Sequence, residues 1–159
     1  METVMQANEW LDALYDSFCE LAGHQLSFSR VNKEGHFDYL PDIIYGASLT
    51  LKGRDLSVCM CLATNVEGCH AVGERMLSAL SKSDAILPDI DYADAFCELL
   101  NIISGSVIRK YFAEDDSLVL SVPVFVNDNL QMPKNSVING LSLKADGIPF
   151  SFIIIMAGT

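Results

Sequence analysis

The sequence predicts a two-layer α+β fold, in which helices pack on an antiparallel sheet of about six strands arranged as two helix-plus-strands units. Helical periodicity and short strand-like runs alternate along the chain in the order helix, strands, helix, helix, strands. A weak internal repeat relates the two halves. At 159 residues, the chain fits a single domain spanning residues 1–159, with a core that needs no disulfide or metal support.

The first helix is predicted over residues 4–22, because a stripe of apolar side chains recurs at helical spacing and Gly23 offers a C-terminal signal. After a polar loop, the runs "IIYGASLTL" and "DLSVCMCLA" flank "KGR" and alternate in character, which predicts a β-hairpin. The residues of the helical stripe are Trp10, Leu14, Phe18 and Leu21.

A second helix is predicted to open at Thr64, since Glu67 follows it at capping-box spacing. Its apolar positions are Val72, Met76, Leu77 and Leu80. A third helix is predicted to begin at Pro88 and Asp89 and to run to about Phe112, with acids in its first turn as the helix dipole favours.

The third helix carries two stripes. The apolar stripe predicts its core face and consists of Phe96, Leu99, Leu100, Ile103, Val107 and Tyr111. The other stripe consists of Asp94, Glu98, Asn101 and Gly105, at steps of four, three and four. In a helix interior, glycine costs about 1 kcal/mol relative to alanine and asparagine about half as much. We therefore expect a functional reason for Asn101 and Gly105.

The C-terminal part predicts further strands. Pro123 inside "SLVLSVPVFV" indicates an edge strand or a bulge, because proline cannot donate to a ladder. The pair Asp146 and Gly147 separates "VINGLSLKA" from "IPFSFIIIMA", which is a strong hairpin signal.

The internal repeat is seen when Glu9 is placed on Glu98. Leu11 then falls on Leu100 and Asp12 on Asn101, without a gap. This pattern is what an old duplication would leave.

Composition limits the possible functions. The 10 Lys and Arg against 21 Asp and Glu give a net charge of −11, so nucleic acid is an improbable partner. The longest apolar runs are strand-length, well short of the roughly 20 residues that span a bilayer. The N-terminus does not resemble a signal peptide. We therefore expect a cytoplasmic protein without a membrane segment.

The spacing of the cysteines and histidines in the sequence does not match a metal-binding motif or a pair of nucleophile and base. The five cysteines lack CxxC spacing and are expected to be buried free thiols. The neighbours Cys69 and His70 point about 100° apart on a helix, so a structural role is favoured over a nucleophile and its base. His24 and His36 are predicted to lie in a helix-to-strand loop, outside any ligand spacing such as HExxH, so a zinc site is not expected.

The region around the third helix is acidic. Residues 83–108 contain five acids, Asp91 and Asp94 among them, and no Lys, Arg or His. A charge run alone is more often a solvated helix face than a docking surface.

Glu98 and Asn101 lie three residues apart, so on a helix they are about 60° apart in azimuth and about 4.5 Å apart along the axis. They can therefore address one small target together. An asparagine amide carries an acceptor and two donors, so it can orient a water molecule and contact an anion. That property suits phosphoryl transfer, in which positioning outweighs covalent chemistry.

The stretch "DAFCELLNIISG" resembles the D/S-xxx-E-xx-N signature of the CheC, CheX and FliY chemotaxis phosphatases, and Pro123 fits the proline that these proteins carry downstream. The echo position has Glu9 and Asp12 without an asparagine, so a single centre is expected, as in CheX. The resemblance implies a CheC-like fold and hydrolysis of the aspartyl phosphate of a CheY-like response regulator.

In that activity, Asn101 would position the attacking water and Glu98 would pair with a lysine of the regulator. Asp91, Asp94 and Gly105 would lie at the partner interface, with Gly105 allowing close approach. The magnesium ion would belong to the regulator, so this chain itself would bind no cofactor. The resemblance also implies a homodimer.

Three alternatives remain open at this point. The chain could be a non-catalytic binding module of the same fold, recognising a regulator or a flagellar switch component. It could be a hydrolase that uses Cys69 and His70. Glu98 and Asn101 could also be merely solvated residues on a helix surface.

Overall fold

The computed structural model describes residues 5–54, 56–81 and 89–157, with the side chains of residues 79–81 and 89–91 left undescribed. Within these ranges the elements follow in the order α1 (Ala7–His24), β1 (Val31–Phe37), β2 (Ile44–Lys52), β3 (Ser57–Ala63), α2 (Val66–Ser81), α3 (Asp89–Tyr111), β4 (Val119–Leu120), β5 (Val124–Asp128), β6 (Ser136–Ala145) and β7 (Ile148–Ala157). Pro88, the predicted start of the third helix, lies outside the described residues.

The strands form one antiparallel sheet in the order β1, β6, β7, β3, β2, β4, and β5 also pairs with β2. Exchanging β1 with the β4 and β5 pair, β2 with β6, and β3 with β7 gives the same strand order, read from the opposite edge of the sheet. The sheet therefore has an internal two-fold plan with its axis between β3 and β7. The predicted α+β fold of two helix-plus-strands units is confirmed.

The main core lies between the three described helices and one face of the sheet. Its centre is an aromatic cluster in which the Phe18 ring lies 5.5 Å from the Phe150 ring and 6.0 Å from the Phe152 ring. Because strand side chains alternate between faces, Met60 and Leu62 join this core while Cys61 points to the other face. A smaller apolar cluster covers that second face.

The ends of two helices differ from prediction. Asn65, not Thr64, caps α2, because the Asn65 Oδ1 accepts a hydrogen bond of 2.8 Å from the Gly68 amide. The Thr64 hydroxyl instead donates to the Pro149 carbonyl at 2.8 Å. The first helix runs through Gly23 and ends at His24.

Strand β1 was predicted as a loop, and that prediction was wrong; His36 lies within the strand and not in a connection. Most of its residues are exposed, so the apolar alternation that marks a half-buried strand is missing. Pairing with β6 holds it in the sheet. The residues just before β1 are held by the Asp146 carboxylate, which accepts hydrogen bonds from the backbone amides of Ser29 and Arg30.

The other edge of the sheet confirms the prediction from Pro123. The strand there is interrupted, since β4 ends at Leu120 and β5 begins at Val124. Between them the Ser121 amide donates to the Thr50 carbonyl and the Ser121 hydroxyl accepts from the Thr50 amide, both at 2.8 Å. The predicted hairpin of β6 and β7 is also confirmed, with positive φ at Asp146 and Gly147.

Within the described ranges, no helix is long and apolar enough to cross a membrane.

Candidate functional site

Helix α3 fixes the candidate site because its apolar stripe is held in the core. Phe96, Leu99, Leu100, Ile103 and Val107 are all buried. Tyr111 was predicted to be buried with them but is 47% exposed, because the helix ends there. Phe112 takes that place by stacking on the Trp10 ring at 5.3 Å. The opposite stripe must therefore face outward.

The structure places the predicted site residues on that outward face. Asp94 and Glu98 are exposed, and Asn101 and Gly105 are half-buried. Within the described part of the chain, neither the Glu98 carboxylate nor the Asn101 amide has a hydrogen bond or ion pair to another side chain. Both groups are thus free to contact another molecule. The backbone of Asp91 lies in α3, but its side chain is outside the described residues.

Packing within the described chain does not require a glycine at position 105. A Cβ atom built on it would lie 3.3 Å from the Arg109 Nη1 and would meet no other heavy atom outside the local helix within 4 Å. The far end of an arginine can move at little cost, so the fold would tolerate a side chain here. The roughly 1 kcal/mol that glycine costs in a helix is therefore not offset by packing inside this protein.

Helix α2 supports α3 from behind. Gly73 allows the two helices to approach closely, since a Cβ atom there would lie 2.5 Å from the Tyr92 ring. Cys69 is buried, and the His70 ring lies 4.4 Å from the Tyr92 ring. This packing argues against Cys69 and His70 as a nucleophile and its base, because the thiol has no access to substrate.

The five cysteines are free thiols, as predicted. Only Cys61 and Cys69 are fully buried, and the other three are half-buried, so the prediction of burial was too broad. Burial raises the pKa of Cys97, the neighbour of Glu98, to about 11, with a smaller contribution from the charge of Asp94. Cys97 is therefore protonated and unreactive at neutral pH.

The echo position on α1 differs from the site on α3. The Asp12 carboxylate forms an ion pair with the Lys33 Nζ at 3.2 Å, and that ammonium also lies 4.8 Å from the centre of the Tyr15 ring. Asp12 therefore has a partner within the chain, whereas Asn101 has none in the described residues. Nothing in the sequence indicates the contact of Asp12 with Lys33, because that contact depends on the position of β1.

Two other features lie away from the stripe. Among the described residues, no three His, Cys, Asp or Glu side chains gather where they could hold a metal ion. A cavity of about 510 Å³ lies beside β2 and β4. Its lining residues Thr50 and Lys52 alternate with the core residues Leu49 and Leu51, so the cavity opens on the sheet face opposite α3.

Comparison with known proteins identifies the family. A family model described as "Chemotaxis phosphatase CheX" matches residues 45–137, which include all of α3. The chain belongs to the CheX family. The family expected from the stripe on α3 and from Pro123 is thereby confirmed, and both features lie inside the matched segment. Glu9 and Asp12 lie outside it. Among curated proteins, no sequence matches the chain significantly.

Solved structures share this CheX-type fold. The chemotaxis protein CheX from Desulfovibrio desulfuricans matches with a TM-score of 0.73 and 15% identity, over 93% of this chain and 99% of that one. A CheC-like protein from Shewanella sp. PV-4 matches with a TM-score of 0.73 and 11% identity, over 97% and 100%. The CheX–CheY–BeF3–Mg2+ complex from Borrelia burgdorferi matches with a TM-score of 0.64 and 14% identity, over 93% and 97%. At these identities, the matches establish the shared fold.

Proposed function

We propose that this protein hydrolyses the aspartyl phosphate of a CheY-like response regulator. The observation that carries the proposal is the pair Glu98 and Asn101, which have no side-chain partner among the described residues and lie on the outward face of α3 next to a glycine. Membership of the CheX family supports the reaction class. The complex of a CheX with a CheY in Borrelia burgdorferi supports the choice of partner.

In the proposed reaction, the Asn101 amide holds a water molecule in line with the phosphorus atom of the regulator. Asparagine cannot act as a base at neutral pH, so its contribution is positioning of the nucleophile. The Glu98 carboxylate pairs with a lysine of the regulator and holds the two proteins in register. The magnesium ion that neutralises the phosphoryl group is assigned to the regulator, so this chain supplies orientation and no cofactor.

The charge of the stripe is consistent with this division of roles. Asp94 and Glu98 would repel a bare phosphoryl group, so productive docking needs cations on the partner. A regulator lysine and the regulator's magnesium ion meet that need. We assign Asp91 and Asp94 to the same interface, where they would favour a partner with basic residues around its phosphorylation site.

The test is the decay of a phosphorylated regulator with and without this protein, at catalytic and at stoichiometric amounts. Accelerated decay with turnover supports the phosphatase. A complex that forms without faster decay would favour the binding module of the same fold instead. The cytoplasmic location remains a prediction from the sequence.

We predict that Glu98→Gln weakens the complex with the regulator and flattens its dependence on salt, because the substitution removes one interfacial charge pair at little steric cost. Binding measured across a range of ionic strengths checks this result. Glu9→Gln, at the echo position on α1, is the matched control and should leave both quantities unchanged. Equal affinity and equal salt response for Glu98→Gln and wild type would exclude the lysine pairing.

We further propose a homodimer formed through the edge of the sheet at β4 and β5. The opposite edge, β1, is blunted by a register shift between Lys33 and Gly35 and by the ion pair of Glu34 with Lys144 at 3.4 Å. The β4 and β5 edge instead exposes apolar side chains, with Val122 82% exposed. The others are Val119 and Val124.

We expect sedimentation at micromolar concentration to show a species of about twice the 17.4 kDa chain mass. Val122→Lys should shift this species toward the monomer, because it puts a charge into the apolar contact without affecting the core. Val137→Lys, at another exposed valine, serves as the control. A wild-type protein that sediments only as a monomer would contradict the proposal.

A further inference from the structure

Arg109 continues the stripe of the candidate site. It follows Gly105 by four residues, so Asp94, Glu98, Asn101, Gly105 and Arg109 fall within about 80° of one another around the helix. The arginine side chain folds back toward the N-terminus of α3, and its Nη1 lies 3.3 Å from the position that a Cβ of residue 105 would occupy. The missing side chain at Gly105 thus makes room for the guanidinium.

The guanidinium lies close to the proposed water-binding amide. Gly105 is four residues after Asn101, which corresponds to about 6 Å along the helix axis. Because the Arg109 Nη1 lies beside Gly105, its charge is about one helical turn from the Asn101 amide. The stripe therefore has an order of charge, with carboxylates at one end, a neutral amide in the middle and a cation at the other end.

The Arg109 guanidinium is available to a partner molecule. It is exposed and has no ion pair or hydrogen bond with any residue in the described ranges. Its neighbour Lys110 lies over the Tyr111 ring at 5.5 Å and is about 100° away around the helix. Attraction to the helix dipole would favour a cation at either position, so it does not explain why Arg109 lies on this stripe.

We propose that Arg109 binds an oxyanion of the docked response regulator and so fixes the direction in which α3 lies across it. Guanidinium groups pair in bidentate fashion with phosphate and carboxylate oxygens. The regulator can offer either, because its phosphoryl group is anionic and a magnesium site requires carboxylate ligands. This inference rests on the proposed function, since the partner is the one that presents its phosphorylated site to Asn101.

The charge order gives the arrangement its specificity. The carboxylates at the N-terminal end of the stripe meet cations of the regulator, and Arg109 at the C-terminal end meets an anion. If the helix were reversed on the same surface, like charges would face each other at both ends and repel. Glu98 and Arg109 together therefore select one of the two orientations, and only one brings Asn101 to the phosphorus.

The test compares Arg109→Gln, Arg109→Lys and the control Lys110→Gln with wild type, using the full chain and a phosphorylated regulator. We expect Arg109→Gln to raise KM about tenfold, to change kcat less than threefold and to reduce the salt dependence of binding. Arg109→Lys should recover part of the affinity, because it keeps the charge and loses the bidentate geometry. Lys110→Gln should behave as wild type.

Binding to the unphosphorylated regulator identifies the source of the oxyanion. If Arg109 contacts the phosphoryl group, Arg109→Gln loses affinity only for the phosphorylated form; if it contacts a carboxylate, it loses affinity for both forms. Wild-type kinetics and salt response for Arg109→Gln, or an equal loss in Lys110→Gln, would overturn the assignment while the phosphatase stands. A wild-type protein without effect on any regulator would overturn both.

Discussion

Asn101→Ala is expected to lower phosphatase activity at least about a hundredfold while the protein folds normally. The amide positions the attacking water, and positioning can contribute several kcal/mol to the barrier. Each 1.36 kcal/mol of lost transition-state stabilisation is a factor of ten in rate. The fold should gain slightly, because Asn101 makes no side-chain hydrogen bond within the described chain and alanine is the better helix former by a few tenths of a kcal/mol.

The measurements are the rate of regulator dephosphorylation, the affinity for the regulator and the melting temperature. Binding should be reduced much less than turnover, since Asn101 acts on the water more than on the complex. The matched control is Asp12→Ala, at the echo position on α1, which removes an exposed ion pair outside the proposed site and should leave activity unchanged. Substantial remaining activity in Asn101→Ala, or loss that follows unfolding, would refute the proposed mechanism.

Gly105→Leu is expected to stabilise the protein and to abolish most of its activity. Leucine is a better helix former than glycine by about 1 kcal/mol, and the position opens on solvent apart from the movable Arg109 side chain. The same side chain would stand between α3 and the regulator, one turn from Asn101. Displacement of reacting groups by 1 Å can cost about a hundredfold in rate, so we expect a loss of at least that size.

Gly23→Leu is the matched control for this substitution. Gly23 is also a helical glycine, and a Cβ there would meet nothing within 4 Å outside the local helix, but it lies on α1 away from the stripe. It should raise the melting temperature without changing activity. If Gly105→Leu were as active as wild type, close approach at Gly105 would be excluded. A loss no greater than that of Arg109→Gln would show that Gly105 acts only by making room for Arg109.

Sequence patterns were sufficient to predict the elements that bury only one face. An apolar stripe at helical spacing predicted α1 and α3, and most of its residues are buried as expected. Since one face of a helix is fixed by burial, the spacing of Glu98 and Asn101 was enough to predict that they share the opposite face. Turn chemistry was equally local, and Asp146 with Gly147 predicted the hairpin of β6 and β7.

Features that depend on residues far apart in the chain could not be predicted from local patterns and became visible in the three-dimensional structure. Strand β1 is exposed on most of its length, so its sequence lacks the alternation of apolar and polar residues that marks a half-buried strand. Its strand conformation depends on backbone pairing with β6. The same pairing brings Lys33 to Asp12 and gives the echo position an internal partner. On α3, the Arg109 Nη1 lies 3.3 Å from the position that a Cβ of residue 105 would occupy, a proximity that the spacing of the two residues does not predict. The periodicity of apolar residues shows which side of a helix or strand is buried. A contact between side chains far apart in the sequence can be predicted only when the positions of both residues in space are known.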